Sequence, residues 1–337
     1  MKNYVDKYKK RSIAEFEPIK ELLIVWPKRI ELSYNFDFVN SLQMPYFIDL
    51  INIAVRFTKV RIIINFPFYK KGIIAKLKEN NISLSNINFT TAFTDSIWLG
   101  DFGPFYIENN GKLEIVDFRC WPRLYRPIEN WFPTIFGIKN KIKCNFSANF
   151  FLTVQGGNYI TNGAGTGVLS SQIFEVNSCN NKQKIIKYLR YFLGLDKVII
   201  LNREIGRTTG HIDMFAKTIN KNTILLGKYK DKNDENYKIM EKNAKVLENN
   251  GFNLIRIPIV RSSSPVGNFS LTYANSFIIN GLKKAVIIPK YGIPEDKEAM
   301  LIYKSSMPDY EIISLESFNI TKGFGGVHCI LKGLPKI

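Results

Sequence analysis

Short runs of β-branched and aliphatic residues alternate with helix-length segments along nearly the whole chain, and no linker rich in Gly, Ser or Pro interrupts them. Apolar runs at 22–26 and 60–65 read as buried strands, and apolar residues at helical spacing over 41–57 and 70–80 read as helices. Strands in this rhythm with helices point to α/β units and argue against a β-sandwich. The pattern continues: strands at 105–108 and 113–118 flank Asn109-Asn110-Gly111, a hairpin signal. A strand is expected over 146–154, a second hairpin turn at Asn162-Gly163, a basic amphipathic helix over 182–193 and a strand over 198–201. A long helix over 234–250 stops at Gly251. Strands follow at 254–259, 273–279, 285–289 and 311–315, with a helix over 295–305, and a glycine cluster at 323–326 leads into a last short strand. Chemistry-bearing residues are spread from Asp101 to Cys329, so a single domain covering 1–337 is expected, its site collecting side chains from several repeated units.

A chain of 337 residues with 45% hydrophobic and 13% aromatic content can build a large core. No apolar run approaches the roughly eighteen residues of a membrane-spanning helix. Met1 to Ser12 is polar and basic with no apolar segment behind it, unlike a signal peptide. A cytoplasmic location is expected, or secretion if a signal has been removed. The four cysteines are widely spaced, which argues against a zinc site or a disulfide framework, and no metal or cofactor is expected. A net charge of +18 raises the question of nucleic acid. Lys and Arg are scattered among Asn and Ile, without an arginine-rich block, so attraction of an anionic substrate group is the milder reading. No specific nucleic-acid or membrane partner is expected, and homo-oligomers are left open.

Only His211 and His328 can supply imidazole chemistry. Cys329 carries the strongest nucleophile type, although taken alone it reads more readily as a buried apolar cysteine. Neighbours on a strand face opposite ways, so His328 is expected to be a bystander while His211 is brought in from afar. His211 and Asp213 would share one face of a strand beneath a glycine turn. Asp101 lies between glycines and aromatics, as an acid held in an apolar wall or as a turn residue. Arg119, Arg123 and Arg126 stand among aromatics and prolines, as a carboxylate clamp or as a solvated basic loop.

Trp98-Leu-Gly-Asp-Phe-Gly-Pro104, Gly156-Gly-Asn-Tyr159, Gly210-His-Ile-Asp213, Tyr273-Ala-Asn-Ser276 and Gly325-Gly-Val-His-Cys329 occur in this order. Together with Ala14-Glu-Phe-Glu-Pro18 and Trp26-Pro27, the set resembles the bacterial peptidylarginine deiminase and agmatine deiminase family of guanidine-modifying enzymes. The resemblance covers almost the whole chain. It implies the pentein fold, a five-bladed α/β propeller of ββαβ-type repeats. It also implies that Asp101 and Asp213 grip a guanidinium, His211 acts as acid and base, and Cys329 is the nucleophile. Asn275, Arg123, Arg126, Trp98, Gly157 and Asn158 are expected on the substrate side. The implied reaction turns a guanidino group into a ureido group and ammonia through a covalent thiouronium on the cysteine.

Two positions depart from the pattern. Gly100 stands where the family usually has arginine, and Arg207-Thr208-Thr209 where an acidic residue often precedes the His-x-Asp motif in agmatine deiminases. The second departure, together with Asn275, the Gly-Gly-Asn-Tyr stretch and Tyr303 to Ile312, leans towards arginine, peptide-bound or free. Agmatine is the nearest alternative substrate. An amidinotransferase and a non-catalytic binding protein on the same fold are further alternatives.

Overall fold

The computed structural model describes residues 10–27, 36–121, 126–178, 180–206, 209–264, 267–322 and 325–337. One pattern recurs in five small sheets: two strands pair antiparallel, a helix follows, and the next strand returns parallel to the second. A parallel return needs a crossover, and here a helix supplies it. The first sheet runs Leu331–Pro335, Ile19–Val25, Lys59–Ile64, Ile87–Thr91. The second runs Arg11–Ser12, Phe105–Asn109, Lys112–Val116, Lys143–Asn145, and the third Lys197–Leu201, Thr166–Ser170, Ile160–Thr161. Ala216–Thr218, Thr223–Tyr229, Asn253–Ser264 and Gly267–Thr272 form the fourth. Phe277–Asn280, Lys284–Lys290 and Glu311–Glu316 form the fifth.

Local chemistry explains the helices. Asn181 caps Lys182–Leu193 by accepting the Lys184 backbone N–H, and Ile185, Leu189, Phe192 and Leu193 are buried along one face. Burial of each such side chain stabilises by about 1.5–3 kcal/mol. Truncating Leu189 to Ala is therefore expected to cost about 2–5 kcal/mol. Asp234 caps Glu235–Asn249 in the same way, through Asn236 N–H, and this helix buries Met240, Ala244 and Leu247. No helix among the described residues is long and apolar enough to cross a membrane.

The chain closes on itself. Leu331–Pro335 pairs antiparallel with Ile19–Val25, Leu331 opposite Ile24, so the last strand completes the sheet that the first long strand begins. Cys329 lies immediately before that closing strand, on the turn His328–Ile330.

Several segments differ from the expectations. Residues 146–154 hold no continuous strand; Ala148–Phe151 is a helical turn, since a short apolar run without alternation fits either state. The strand expected over 273–279 starts only at Phe277, because Tyr273 to Ser276 is drawn into the site. His211 and Asp213 do not share a strand; His211 is extended and Ile212–Met214 is a 3₁₀ turn. Adjacent residues on such a turn diverge less than on a strand, so the geometric ground for setting His328 apart from Cys329 does not hold.

Candidate active site

Four turns converge on one buried cluster. The short helix Leu99–Phe102 carries Asp101, the turn Gly156–Asn158 carries Gly157, the turn Ile212–Met214 with its preceding residue carries Asp213 and His211, and the turn His328–Ile330 carries Cys329. Asp101, His211, Asp213 and Cys329 are each less than a tenth exposed.

Gly157 lies at the centre. Its N–H donates to Asp101 Oδ1 at 3.1 Å. A Cβ added at Gly157 would stand 2.6 Å from Asp101 Oδ1, 2.8 Å from His211 Nδ1 and 3.1 Å from Asp213 Oδ2. All three groups therefore face one space that only glycine leaves open. Gly100 serves close approach of another kind: a Cβ there would meet the carbonyl oxygens of His328 at 2.6 Å and Cys329 at 2.7 Å. The position of the family's usual arginine is here a contact between two backbones, and the Asp101 helix lies directly on the cysteine turn.

Asn275 holds that turn from the other side. Its Oδ1 accepts the His328 backbone N–H at 2.9 Å, which fixes the amide so that Nδ2–H points at Cys329 Sγ, 3.3 Å away. The thiol in turn donates to Asp213 Oδ2 at 3.5 Å. Burial pushes the Cys329 thiol well above its ordinary value, and the charges of Asp213 and Asp101 add to the effect. The hydrogen bond from Asn275 opposes it.

His211 is held at both nitrogens: Nδ1 lies 3.3 Å from Asp101 Oδ1, and Nε2 2.8 Å from Gln155 Oε1. A chain of buried amides sets the proton at Nε2. Ser170 N–H donates to Asn158 Oδ1, so Asn158 Nδ2 donates to Gln172 Oε1, and Gln172 Nε2 to Gln155 Oε1. Gln155 Oε1 is thereby an acceptor towards His211 Nε2–H. With a carboxylate at Nδ1, the ring carries both protons. Burial alone would lower its pKa, but the nearby Asp101, with a smaller contribution from Asp213, outweighs this and raises it.

Asp213 is the most constrained carboxylate. Oδ2 receives His328 Nδ1 at 2.9 Å as well as the thiol. Oδ1 is buried and has no hydrogen-bond partner among the described residues. Burial would raise the pKa of this carboxyl, but the bond and charge of His328, then His211 and Lys217, bring it below its ordinary value. An ionised carboxylate with one bare buried oxygen is costly unless a donor completes it. The space in front of Gly157, faced by Asp101 Oδ1 and by the Asp213 Oδ2 that the thiol also reaches, suits a planar cation with several N–H groups beside a sulfur.

His328 belongs to this cluster. Its Nε2 lies 2.8 Å from Glu15 Oε2, and Glu15 Oε1 lies 2.7 Å from Lys217 Nζ. Gln155, Gln172, Glu15, Lys217 and the partnership of His328 were not found from sequence. Glu15 does lie in the Ala-Glu-Phe-Glu-Pro stretch that the resemblance singled out.

Of the residues expected on the substrate side, Asn158 is fully buried with its amide engaged by Ser170 and Gln172, so it supports Gln155 and does not face the opening. Trp98 directly precedes the Asp101 helix and its ring covers Gly325. Arg126 stands over the Trp121 ring, 5.4 Å from its centroid, with Glu129 at 4.0 Å. Arg123 lies outside the described residues.

Sheets of this repeated design around a Cys, His and two carboxylates, with an unfilled cradle for a planar cation, define a guanidine-modifying enzyme of the α/β kind. Residues 11–335 match the family described as Porphyromonas-type peptidyl-arginine deiminase, and the chain belongs to it. It is a hydrolase acting on a C–N bond of a guanidino substrate. The agmatine deiminase of Ectopseudomonas mendocina is 25% identical, over 96% of this chain and 94% of that protein. A putative agmatine deiminase of Legionella pneumophila is 26% identical over the same shares, 96% and 94%. The solved agmatine deiminase of C. jejuni superposes with a TM-score of 0.82 at 24% identity, covering 100% of this chain and 99% of that one. A putative arginine deiminase structure from Porphyromonas gingivalis gives 0.83 at 22% identity, covering 97% and 99%.

Proposed function

We propose that this enzyme deiminates a small guanidino amine of the agmatine type, with Cys329 as nucleophile, on a single-domain five-bladed propeller. The observation that carries the chemistry is the space in front of Gly157, where Asp101 Oδ1, His211 Nδ1 and Asp213 Oδ2 converge and the Cys329 thiol reaches Asp213 Oδ2. The guanidinium N–H groups complete the two carboxylates, which orients the central carbon over the sulfur. The arriving cation offsets the two negative charges that disfavour the thiolate, so the thiol gives its proton up to solvent water only once substrate is bound. The sulfur attacks the central carbon, His211 gives a proton to the departing nitrogen, and ammonia leaves a thiouronium on Cys329. His211 then takes a proton from water as its oxygen bonds to the same carbon. The C–S bond breaks, giving the ureido product and the free thiol.

The names of the sequence relatives support agmatine, and move the weight away from peptidyl arginine, to which the motifs leaned. One observation keeps arginine as a second reading. A cavity of about 620 Å³ beside Gln155 is lined by Arg119, Lys184 and the aromatic Phe150, Phe151 and Tyr188, and none of its described lining residues is acidic. That lining suits a substrate carrying a carboxylate. Ammonia release from agmatine, free arginine and C-terminal arginyl peptides is the test. Turnover of agmatine with the others inert supports the first reading; turnover of arginine or its peptides alone supports the second. Transfer of the amidino group to an amine without ammonia would overturn both.

A further inference from the structure

We infer that His328 is a positioning residue: an imidazolium clamped between Glu15 and Asp213, which keeps Asp213 ionised and fixes its Oδ2 beside the Cys329 thiol, facing the space in front of Gly157. Both ring nitrogens face carboxylate oxygens, Nε2 at 2.8 Å from Glu15 and Nδ1 at 2.9 Å from Asp213. Neither oxygen can donate, so both nitrogens must. Lys217 and the backbone N–H of Ile278 anchor the far oxygen of Glu15, at 2.7 and 2.8 Å, so the clamp cannot swing. Charges alternate along the line Lys217, Glu15, His328, Asp213. The line ends at the oxygen that also receives the Cys329 thiol. In this arrangement the second histidine handles no proton in the reaction; its charge keeps Asp213 ionised and its direction fixes Oδ2 beside the thiol.

The groups that face His328 and Asp213 are Glu15 from the N-terminal segment, Lys217 from strand Ala216–Thr218, His211 beside Asp213, Asp101 from its helix, and Cys329 on the same turn. The ring of Phe277 covers the His328 imidazole, with centroids 6.1 Å apart. His211 and Lys217 also act on Asp213 through their charge, but among the described residues His328 is the only cation hydrogen-bonded to its Oδ2.

Glu15→Gln is the discriminating variant. Its oxygen still accepts from Ile278 and Lys217, while its amide faces His328 Nε2 as a donor. His328 must then become the neutral ring that keeps only Nδ1–H, so the bond to Asp213 survives and the charge does not. Because the chain has two histidines, nitrogen-labelled histidine gives two imidazoles by NMR, and His211→Asn assigns them. The expected result is that wild-type His328 keeps both protons above the ordinary value of 6.5, and loses Nε2–H in Glu15→Gln. The acid limb of kcat/KM should rise by about one pH unit in Glu15→Gln, since loss of a neighbouring opposite charge raises a carboxyl pKa by about 1–3 units. His328→Asn, which retains a donor at the Nδ1 position, should show the same displaced limb. A neutral His328 in the wild type at pH 7, or a uniform loss of activity in both variants with no movement of the acid limb, would overturn the proposal. The kinetic arm rests on the guanidino-hydrolase reading. Failure of the wild type on every guanidino substrate would count against that reading, while the NMR result would still decide the state of His328.

Discussion

Asn275 Nδ2 lies 3.3 Å from Cys329 Sγ, its only side-chain donor among the described residues, and the same amide holds the turn on which the cysteine sits. A hydrogen bond to a charged group is worth about 1.5–3 kcal/mol. Asn275→Ala should therefore slow both turnover and alkylation of Cys329 about ten- to a hundredfold. Comparing the two rates at neutral pH checks this: if alkylation there is unchanged, the amide does not stabilise the thiolate.

Gly157→Ala tests the shared space in front of Asp101, His211 and Asp213. The added methyl would stand 2.6 Å from a carboxylate oxygen and 2.8 Å from the imidazole nitrogen. A displacement of about 1 Å in such a site can cost about a hundredfold in rate. Turnover should fall by at least that factor while the thermal midpoint moves little. Full activity in Gly157→Ala would place the substrate elsewhere.

The thiol of the free enzyme is protonated at neutral pH, because burial and two carboxylates raise it well above its ordinary value. Reagent charge should then matter more than reagent strength. A cationic haloacetamidine should label Cys329 far faster than neutral iodoacetamide at pH 7, and Asp213→Asn should shrink the difference. Mass spectrometry of the labelled peptide gives the rates.

Glu15 couples the same cluster to acid stability. Burial alone would raise its carboxyl, but Lys217 and His328 bring it from 4.5 down to about 2. A depressed carboxylate contributes stability that is fully present above 4.5 and is lost as pH falls towards 2. Glu15→Gln should be less stable than wild type near neutrality, and its urea midpoint should fall less steeply across that window. Parallel curves in the two proteins would show that Glu15 is not paired in the folded state.

The alternation of strands and helices was readable because the repeated units bury apolar strands, as Thr223–Tyr229 does, and one apolar face of each amphipathic helix, as Lys182–Leu193 does. Where the chain leaves the sheets to build the site, periodicity carries nothing. Ile212–Met214, entered from the extended His211, and His328–Ile330 are short 3₁₀ turns, and a strand-based argument about which way the side chains there face failed for both. Asp101, His211, Asp213 and Cys329 could be picked out because their side chains suggest chemistry and their motifs resemble a family. Glu15, Gln155 and Gln172 could not. Their importance comes from long-range partners, such as Glu15 with Ile278, and an isolated Glu or Gln says nothing of what will face it.

Because Leu331–Pro335 must pair with Ile19–Val25 before Cys329 can reach Asn275 and Asp213, the reactive centre is assembled from segments made at opposite ends of synthesis. Contacts so distant in sequence form late in folding. While the ribosome is still extending the chain, the carboxylates and His211 emerge without the sulfur they serve. On the proposed mechanism activity therefore waits for the pairing of that last strand with Ile19–Val25, and a nascent chain stalled short of it carries none to release.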